Sequence, residues 1–203
     1  AATSINVEII GGHSEITDAV NRMIISTTAI GIQRKSSIIT SKGAQVGDAI
    51  IMTKHAGLEG TAILATDLEE SLKDKVSQAI IDAAKGFIGK ISVVKEGVLA
   101  GKVGVNSMHD ATEGGLYGAL WELAEASGVG IKVVEDKIPI RPETLEICNA
   151  LSINPLRLIS SGVMVIAAPQ HKKQLLLEEL KKQEIEATEI GEMLFTSHIV
   201  NAQ

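Results

Sequence analysis

From about Ser41 onward, the hydrophobic positions follow two periods, one typical of buried strands and one typical of amphipathic helices. Strands are predicted at five apolar or alternating runs, which are residues 49–53, 103–108, 131–134, 163–168 and 187–190. Helices are predicted at four segments with one apolar face, which are residues 76–87, 115–127, 143–151 and 172–182. Strands that alternate with helices predict a layered α/β or α+β domain.

The first 33 residues carry a different pattern. Residues 5–10 alternate apolar with polar side chains until their end, and residues 23–32 are rich in isoleucine and threonine. Both stretches favour β-strands, and the glycine pair at 11–12 separates them. Two strands cannot bury an apolar face by themselves and are marginal in water. We therefore expect these strands to need partners from a domain that is missing here.

The composition predicts an aliphatic core, since 45% of the residues are hydrophobic and only 2% are aromatic. A net charge of −6, with acidic and basic residues interspersed, argues against nucleic-acid and polybasic membrane partners. Cys148 is the only cysteine, which excludes an internal disulfide and a multi-cysteine zinc site. The chain shows no basic-then-apolar leader and no apolar run of roughly 20 residues. We expect a cytoplasmic protein.

The strongest chemical signal is the motif MHDATEGG at residues 108–115, which leads from a predicted strand into the predicted helix at 115–127. Glycines let the backbone approach a ligand closely, and a helix start presents N–H groups to an anion. The carboxylate of Asp110 fits such a site if Mg²⁺ lies between it and the anion, because Mg²⁺ prefers one or two carboxylates plus phosphate oxygens. Asp110 or Thr112 could instead cap the helix. Both roles are compatible, with Thr112 capping and Asp110 facing the ligand.

Three weaker glycine motifs accompany it. The motif GGHSEIT at residues 11–17 carries histidine, serine and threonine side chains that could line phosphate oxygens, and an acidic residue that could help hold a metal. A plain hairpin turn explains the same residues equally well. The glycine turns at 57–61 and 160–162 could border a cleft, but the pattern favours structural turns at both places.

Taken in order, these segments resemble the AIR synthase-related (PurM-like) superfamily. Its members include aminoimidazole ribonucleotide synthase, selenophosphate synthetase, thiamine-monophosphate kinase and the hydrogenase-maturation dehydratase HypE. The stretch 108–131 is most similar to the HypE branch, and GDAIIMT at 47–53, GLEGT at 57–61 and SSGVM at 160–164 fit the same order. The resemblance covers nearly the whole chain up to its tail.

The resemblance implies a division of the chain into two parts. Residues 41–203 would form the carboxy-terminal α/β domain of the PurM-like fold, a layered sheet with helices. Residues 1–40 would be strands left from the amino-terminal domain, which in this superfamily dimerises and binds Mg-ATP. Across the cleft between the two domains, Asp110 matches an aspartate that selenophosphate synthetases use as a Mg²⁺ ligand. The residues that the resemblance brings to the nucleotide are Gly12, His13, Ser14, Thr112, Gly114 and Gly115.

Two departures limit what the resemblance implies. The acidic Mg-ATP residues of the superfamily lie upstream of the glycine turn, outside this chain. The HypE branch ends in a cysteine that accepts a carbamoyl group, whereas this chain ends VNAQ at residues 200–203. Maturation of hydrogenase through that cysteine is therefore not expected.

The resulting hypothesis is an enzyme that uses ATP and Mg²⁺ to activate a substrate oxygen by phosphoryl transfer. Its intact form would be a homodimer acting on a small molecule or a protein that the sequence does not identify, and this chain alone would be inactive. The alternative is a module of the same fold without catalysis, either a binding or regulatory domain or an assembly subunit. In the latter case the exposed strands at 5–10 and 23–32 would pair with a partner.

Overall fold

The apolar runs pair into one sheet in the computed structural model of the chain, which describes residues 2–195 and 199–202. Within those residues the strands are β1 (Ala49–Thr53), β2 (Ser107–Asp110), β3 (Gly130–Val134), β4 (Met164–Ala168), β5 (Ala187–Leu194) and β6 (Ile199–Ala202). Their spatial order is β2-β4-β1-β5-β3-β6. Neighbouring strands are antiparallel except β3 and β6, which are parallel.

The α-helices of the described residues are α1 (Leu58–Asp67), α2 (Glu69–Leu72), α3 (Gln78–Lys85), α4 (Val94–Val103), α5 (Gly115–Ser127), α6 (Pro142–Leu151) and α7 (Gln170–Lys182). Short 3-10 helices cover Ala2–Ile5, Lys35–Ser37, Gly86–Lys90 and Glu135–Lys137. None of the helices in this part of the chain is both long and apolar enough to cross a membrane. The predicted mixed α/β fold is confirmed.

The sheet separates two apolar cores. Because successive side chains of a strand point to opposite faces, β1 contributes Ile50 and Met52 to one core and Ile51 to the other. The first core is completed by α5, through Leu116, Leu120 and Leu123. The second is completed by α4 and α7, through Ala100, Leu176 and Leu180. Buried between two strands and two helical layers, β1 is the continuous apolar run that the sequence predicted.

Helix α5 begins and ends where the sequence predicted. Gly114 and Gly128 flank it with φ angles of 83° and 66°, a left-handed conformation that stops a helix and favours glycine. The strand predicted at 103–108 is partly wrong, because helix α4 continues to Val103 and β2 begins only at Ser107. Strand β6 lies in the tail, for which the sequence showed no period.

Backbone contacts divide the chain between Ser36 and Ser37. Among the described residues of the first unit, 2–36, there is no β-strand, so the strands predicted at 5–10 and 23–32 are wrong for this structure. A strand is held by hydrogen bonds to a neighbouring strand, and among the described residues no strand pairs with either stretch. Their apolar side chains are therefore exposed, among them Ile9, Ile10, Met23, Ile24, Ile25, Ile30 and Ile32. The assignment of residues 1–40 to an ATP-binding domain stays a prediction.

Candidate functional site

The predicted site lies at one edge of the sheet. Strands β1 and β2 are both antiparallel to β4, so they run parallel to each other and end at the same edge. The loops that follow them, at 54–57 and 111–114, meet the loop at 159–163 that leads into β4. The MHDATEGG motif is thus brought to an edge where three loops converge.

Asp110 is the last residue of β2, and its carboxylate is half exposed. The backbone just after it is fixed, because the N–H of the buried Ala111 donates to the carbonyl of Val163 at 2.9 Å. Its carboxylate Oδ1 lies 3.7 Å from Nδ1 of His109, which is beyond hydrogen-bond distance. The sheet therefore positions this carboxylate while leaving it open to a ligand.

Two expectations for the start of α5 need correction. No side chain caps the helix, so neither Asp110 nor Thr112 has the predicted capping role. The first amides are also less available than predicted, because Gly115 N–H donates to the Thr112 carbonyl at 3.0 Å and Tyr117 N–H donates to the Leu156 carbonyl at 3.2 Å. The loop carbonyls and the neighbouring segment replace both the cap and part of the predicted anion site.

The two motif glycines make room for protein atoms. A Cβ on Gly115 would lie 2.6 Å from the Leu158 carbonyl oxygen and 2.7 Å from that of Leu156, and its φ is 65°. A Cβ on Gly114 would lie 3.3 Å from Cα of Gly118. Close packing of α5 against residues 156–158 thus explains Gly115 without a ligand. A role for either glycine beside a phosphate stays a prediction.

The motif loop is acidic. Hydrogen bonds from its own backbone N–H and from the Thr112 side chain lower the pKa of Glu113 below its ordinary value. This carboxylate is exposed and lies in the same loop as Asp110. A phosphate arriving here would meet negative charge, so a cation would be needed between them.

A histidine connects this loop to the middle of α5. His109 Nε2 lies 2.6 Å from Oε2 of Glu122, and the other ring nitrogen faces Asp110. Sequence reasoning assigns no metal-binding role to His109, because the residue has no partner at a ligand spacing along the chain. The pairing with Glu122 spans 13 residues and depends on α5 packing beside β2.

Lys54 ties the neighbouring loops together. Its Nζ lies 2.6 Å from Oε1 of Glu96, which is 3% exposed, and donates to the carbonyls of Lys90, Ser92 and Gly162 at 2.7–3.1 Å. Four acceptors saturate the ammonium group, so its charge holds loops rather than a ligand. Sequence reasoning missed this pair, since its members lie on separate predicted elements.

The turns at 57–61 and 160–162 are structural, as the pattern favoured. The buried Ser160 Oγ accepts from Gly57 N–H at 2.8 Å and donates to the Leu158 carbonyl at 2.7 Å. Thr61 Oγ1 donates to the Gly57 carbonyl at 2.6 Å and lies 2.9 Å from Oγ1 of Thr144. The hydroxyls of Ser160 and Thr61 are therefore occupied by protein atoms rather than by a ligand.

His55 follows the same strand edge and is 2% exposed. Neither ring nitrogen has a hydrogen-bond partner among the described residues, and the ring meets Phe87 edge-on with centroids 4.7 Å apart. Burial, and then the nearby charge of Arg141, lower the pKa of His55 to about 4. His55 is therefore a neutral core residue at physiological pH. The burial of this ring could not be predicted from a single histidine in the chain.

The glycine motif near the amino terminus lies in the first unit. Gly12, His13 and Ser14 occupy exposed backbone outside any helix or strand. The space beside Gly12 is open, and His13 Nε2 lies 4.0 Å from Oε2 of Glu15. The binding of ATP by these three residues stays a prediction.

Residues 45–200 match the family model for the C-terminal domain of AIR synthase related protein. The chain belongs to the AIR synthase-related family. The resemblance found in the sequence is thereby confirmed, including its HypE branch.

Relatives in this family are longer than the chain. A Methanocaldococcus jannaschii protein named for hydrogenase expression/formation is 37% identical over 180 residues, which are 87% of this chain and 50% of that protein. The crystal structure of Escherichia coli HypE, a hydrogenase maturation protein, superimposes with a TM-score of 0.67 at 24% identity, covering 82% of this chain and 49% of HypE. A HypE structure in complex with ATP gives a TM-score of 0.58 at 23% identity, covering 76% and 44%. The chain spans about half the length of these proteins, and the two structures share its fold.

The MHDATEGG motif offers two exposed carboxylates, those of Asp110 and Glu113, rather than a closed set of metal ligands. Among residues 2–195 and 199–202, no group of three or more histidine, cysteine, aspartate or glutamate side chains is arranged to hold a metal. Mg²⁺ usually keeps several waters and takes one or two carboxylates plus phosphate oxygens. A half-exposed carboxylate such as that of Asp110 fits this requirement. Water and phosphate oxygens would be the other ligands.

An open cleft of about 460 Å³ lies at the β1–β5 side of the same edge. It is lined by Lys54, Pro139, Leu177, Lys181, Ile185 and Glu186, among others. No residue of the MHDATEGG motif lines it, and the Lys54 ammonium is already saturated by protein acceptors. The motif loop is therefore the better candidate for chemistry in this AIR synthase-related domain.

Proposed function

We propose that this chain is the carboxy-terminal half of a HypE-like enzyme that uses ATP and Mg²⁺ to activate a substrate oxygen by phosphoryl transfer. Three facts support the proposal. The family match covers the carboxy-terminal domain only, the relatives are about twice as long, and a protein of this fold has been captured with ATP. The intact enzyme acts as a homodimer, and its acceptor is a small molecule or a protein.

The observation that carries the proposal is the half-exposed carboxylate of Asp110. It is positioned by β2, caps no helix and makes no direct hydrogen bond to its nearest basic neighbour, His109. No hydrogen bond from the described residues occupies its oxygens, so they remain available to a metal ion, and carboxylate oxygens are ligands that Mg²⁺ prefers. Asp110 is therefore the residue that holds Mg²⁺ in the proposed site.

The residues of the MHDATEGG motif have separate roles in the proposed site. When bound, Mg²⁺ neutralises the charge that develops on the transferred phosphoryl group. Asp110 orients the ion, and the ionised Glu113 keeps the loop negative so that a bare phosphate is not held without it. Thr112, Gly114 and Gly115 give the loop the shape that brings its backbone near the phosphates.

The proposal assigns a second set of ATP contacts to residues of the first unit. Gly12, His13 and Ser14 contact ATP in the proposed dimer, together with acidic residues of the missing half. Because binding and positioning supply most of the catalysis in phosphoryl transfer, a site that lacks part of its binding residues loses nearly all of its activity. The chain alone is accordingly expected to be inactive.

A thermal-shift titration with ATP and Mg²⁺ tests the proposal, run in parallel on this chain and on the full-length gene product. A ligand that binds the folded state raises its stability by mass action, by about 2.7 kcal/mol at a concentration of 100 times Kd. We expect a saturable shift for the full-length protein that EDTA abolishes, and little shift for the chain. No shift for either protein would contradict the nucleotide role.

A non-catalytic assembly module is the second candidate, and the exposed apolar side chains of residues 2–36 favour it. Ile16, Ile25 and Ile32 are among them, and exposed apolar patches of this kind often mark interaction surfaces. Under this alternative the full-length protein shows no ATP shift but associates in a concentration-dependent way. Sedimentation velocity at several protein concentrations, with and without Mg-ATP, separates the two functions.

A further inference from the structure

His109 lies between two carboxylates at the end of β2. Its Nε2 is 2.6 Å from Oε2 of Glu122, and its Nδ1 is 3.7 Å from Oδ1 of Asp110. The imidazole is largely buried, with 22% of the side chain exposed, whereas both carboxylates are about half exposed. The ring is thus fixed from one side while its other nitrogen faces an accessible acid.

The chemistry of these groups determines where the ring proton lies. An ionised carboxylate can only accept, so Nε2 carries the hydrogen and donates it to Glu122. In the neutral ring, Nδ1 then presents a lone pair on the side of Asp110. In that tautomer Nδ1 and Asp110 Oδ1 are two acceptor atoms 3.7 Å apart with no hydrogen bond between them. A cation between them satisfies both.

The geometry fits a divalent metal ion. Histidine nitrogen and carboxylate oxygen lie about 2.0–2.2 Å from such an ion, so a tetrahedral angle separates them by roughly 3.4 Å. The observed 3.7 Å differs by a few tenths of an ångström, which a small rotation of the half-exposed Asp110 side chain closes. Histidines that bind metals almost always donate their other N–H to a carboxylate, and Glu122 accepts it here.

We propose that Nδ1 of His109 and the carboxylate of Asp110 bind a divalent first-row transition-metal ion, with Glu122 orienting the ring. Imidazole suits ions such as Zn²⁺ and Co²⁺, whereas Mg²⁺ prefers oxygen ligands alone. Water completes the coordination, since the described residues add no third ligand of the histidine, cysteine or acidic type. The site shares Asp110 with the proposed nucleotide function but needs no nucleotide.

Titration of this chain with Co²⁺ in the absence of nucleotide tests the proposal, followed by visible absorbance and calorimetry. We expect one Co²⁺ per chain, displaced by Zn²⁺ but not by an equal concentration of Mg²⁺. His109→Ala and Asp110→Asn should each weaken binding at least tenfold by removing a ligand. Glu122→Gln keeps an oxygen acceptor for the ring N–H but loses the charge, and should weaken binding about tenfold.

Two variants serve as matched controls. Glu125→Gln removes the same charge from an exposed position on the same helix, and His171→Ala removes an exposed histidine on α7. Both should bind Co²⁺ as the parent chain does. Urea unfolding of each variant verifies its fold, and Glu122→Gln remains informative if His109→Ala does not fold.

Two results would overturn the proposal. One is a parent chain that binds no Co²⁺, which would leave Glu122, His109 and Asp110 as a simple ion-pair line. The other is Co²⁺ binding that is unchanged in His109→Ala. Failure of the Mg-ATP shift alongside intact Co²⁺ binding would remove the nucleotide function and keep this site, so the two failures are distinguishable.

Discussion

Two sets of glycine-bearing loops meet at the same edge of the sheet and use their polar groups in opposite ways. Around residues 54–61 and 160–162, the Lys54 ammonium and the Ser160 hydroxyl are bonded to protein carbonyls, to a protein amide and to the buried Glu96. In the loop at 110–115, the carboxylate of Asp110 is half exposed and no side chain caps the helix that follows.

This difference distinguishes Lys54 and Ser160, which stabilise the fold, from Asp110, whose carboxylate is available to a ligand. Most buried polar groups are hydrogen-bonded, and a group whose donors or acceptors are all used by protein atoms has none left for a ligand. Glycine does not make this distinction, because Gly60 and Gly115 both make room for residues of the same 156–159 segment. The two sets of loops differ in whether their polar side chains are bonded to protein atoms. Four substitutions or conditions test this difference.

Removal of the Lys54 ammonium, which holds the loops around residues 54–61 and 160–162, should cause the largest loss of unfolding free energy. Lys54→Met leaves the carboxylate of Glu96 buried without its cation, and breaking a buried pair from one side costs about 3–5 kcal/mol of unfolding free energy. Urea unfolding of the variant and of the parent chain measures the loss.

The matched control is the double variant Lys54→Met/Glu96→Leu. It removes both charges, so most of the stability should return, although three carbonyls lose a donor. A single variant as stable as the parent would show that Glu96 finds another partner and that Lys54 does not hold these loops.

The buried His55 should make stability depend on pH. Its pKa is about 4 in the folded chain against 6.5 for the ordinary side chain, so the unfolded chain binds a proton first as the pH falls. Above pH 6.5 the ring is neutral in both states and the unfolding free energy is unaffected. The unfolding free energy falls as the pH drops from 6.5 through 4, and the total loss approaches about 3 kcal/mol. Unfolding curves at several pH values between 7 and 4 measure the change.

Carboxylates also titrate in this range, so the comparison needs a variant. His55→Leu keeps an apolar contact with Phe87 and removes the titrating group. The pH dependence of its unfolding free energy should be shallower than that of the parent chain by the contribution of His55. Parallel curves for the two proteins would mean that the ring finds a hydrogen-bond partner in solution.

Substitution of the motif glycines should give smaller losses that differ between neighbours. Gly115→Ala combines a left-handed φ with overlap against two carbonyl oxygens, and should cost about 2–3 kcal/mol. Gly114→Ala meets Cα of Gly118 at 3.3 Å and its nitrogen at 3.9 Å, and should cost about 1 kcal/mol, chiefly from its φ of 83°. Gly12→Ala has open space and should change stability by less than about 0.5 kcal/mol. Equal losses at Gly114 and Gly115 would contradict the packing argument.

The sequence predicted the parts of this fold that depend on local pattern. Strand β1 is a continuous apolar run, and α5 is bounded by two glycines that reverse the backbone, so both could be placed to the residue. The stretches at 5–10 and 23–32 carry an equally local strand pattern. They are not strands here because pairing requires a partner, which local pattern cannot supply.

The site was predictable in its position but not in its contacts. The MHDATEGG motif indicated where the candidate site lies, yet the Tyr117 amide in the first turn of α5 and the space beside Gly115 are used by the segment at 156–158, some forty residues further along the chain. The pairing of Lys54 with Glu96 likewise depends on packing between separate elements. Contacts of this range follow from the assembled sheet, whereas the motif is visible in one short stretch of sequence.

Asp110→Asn is expected to change stability as little as Gly12→Ala does, and it sharpens the comparison most. Asp110→Asn removes a half-exposed charge that caps no helix, so the unfolding free energy should change by less than about 0.5 kcal/mol. The same change at the buried Asp48 disturbs hydrogen bonds from Asn106 Nδ2 and Gln45 N–H, and should cost about 1–3 kcal/mol. In the full-length protein, Asp110→Asn should weaken Mg²⁺-dependent ATP binding, measured by calorimetry, whereas Asp48→Asn should not. A large loss of stability at Asp110 with unaltered ATP binding would make this carboxylate a structural group like those of the neighbouring loops.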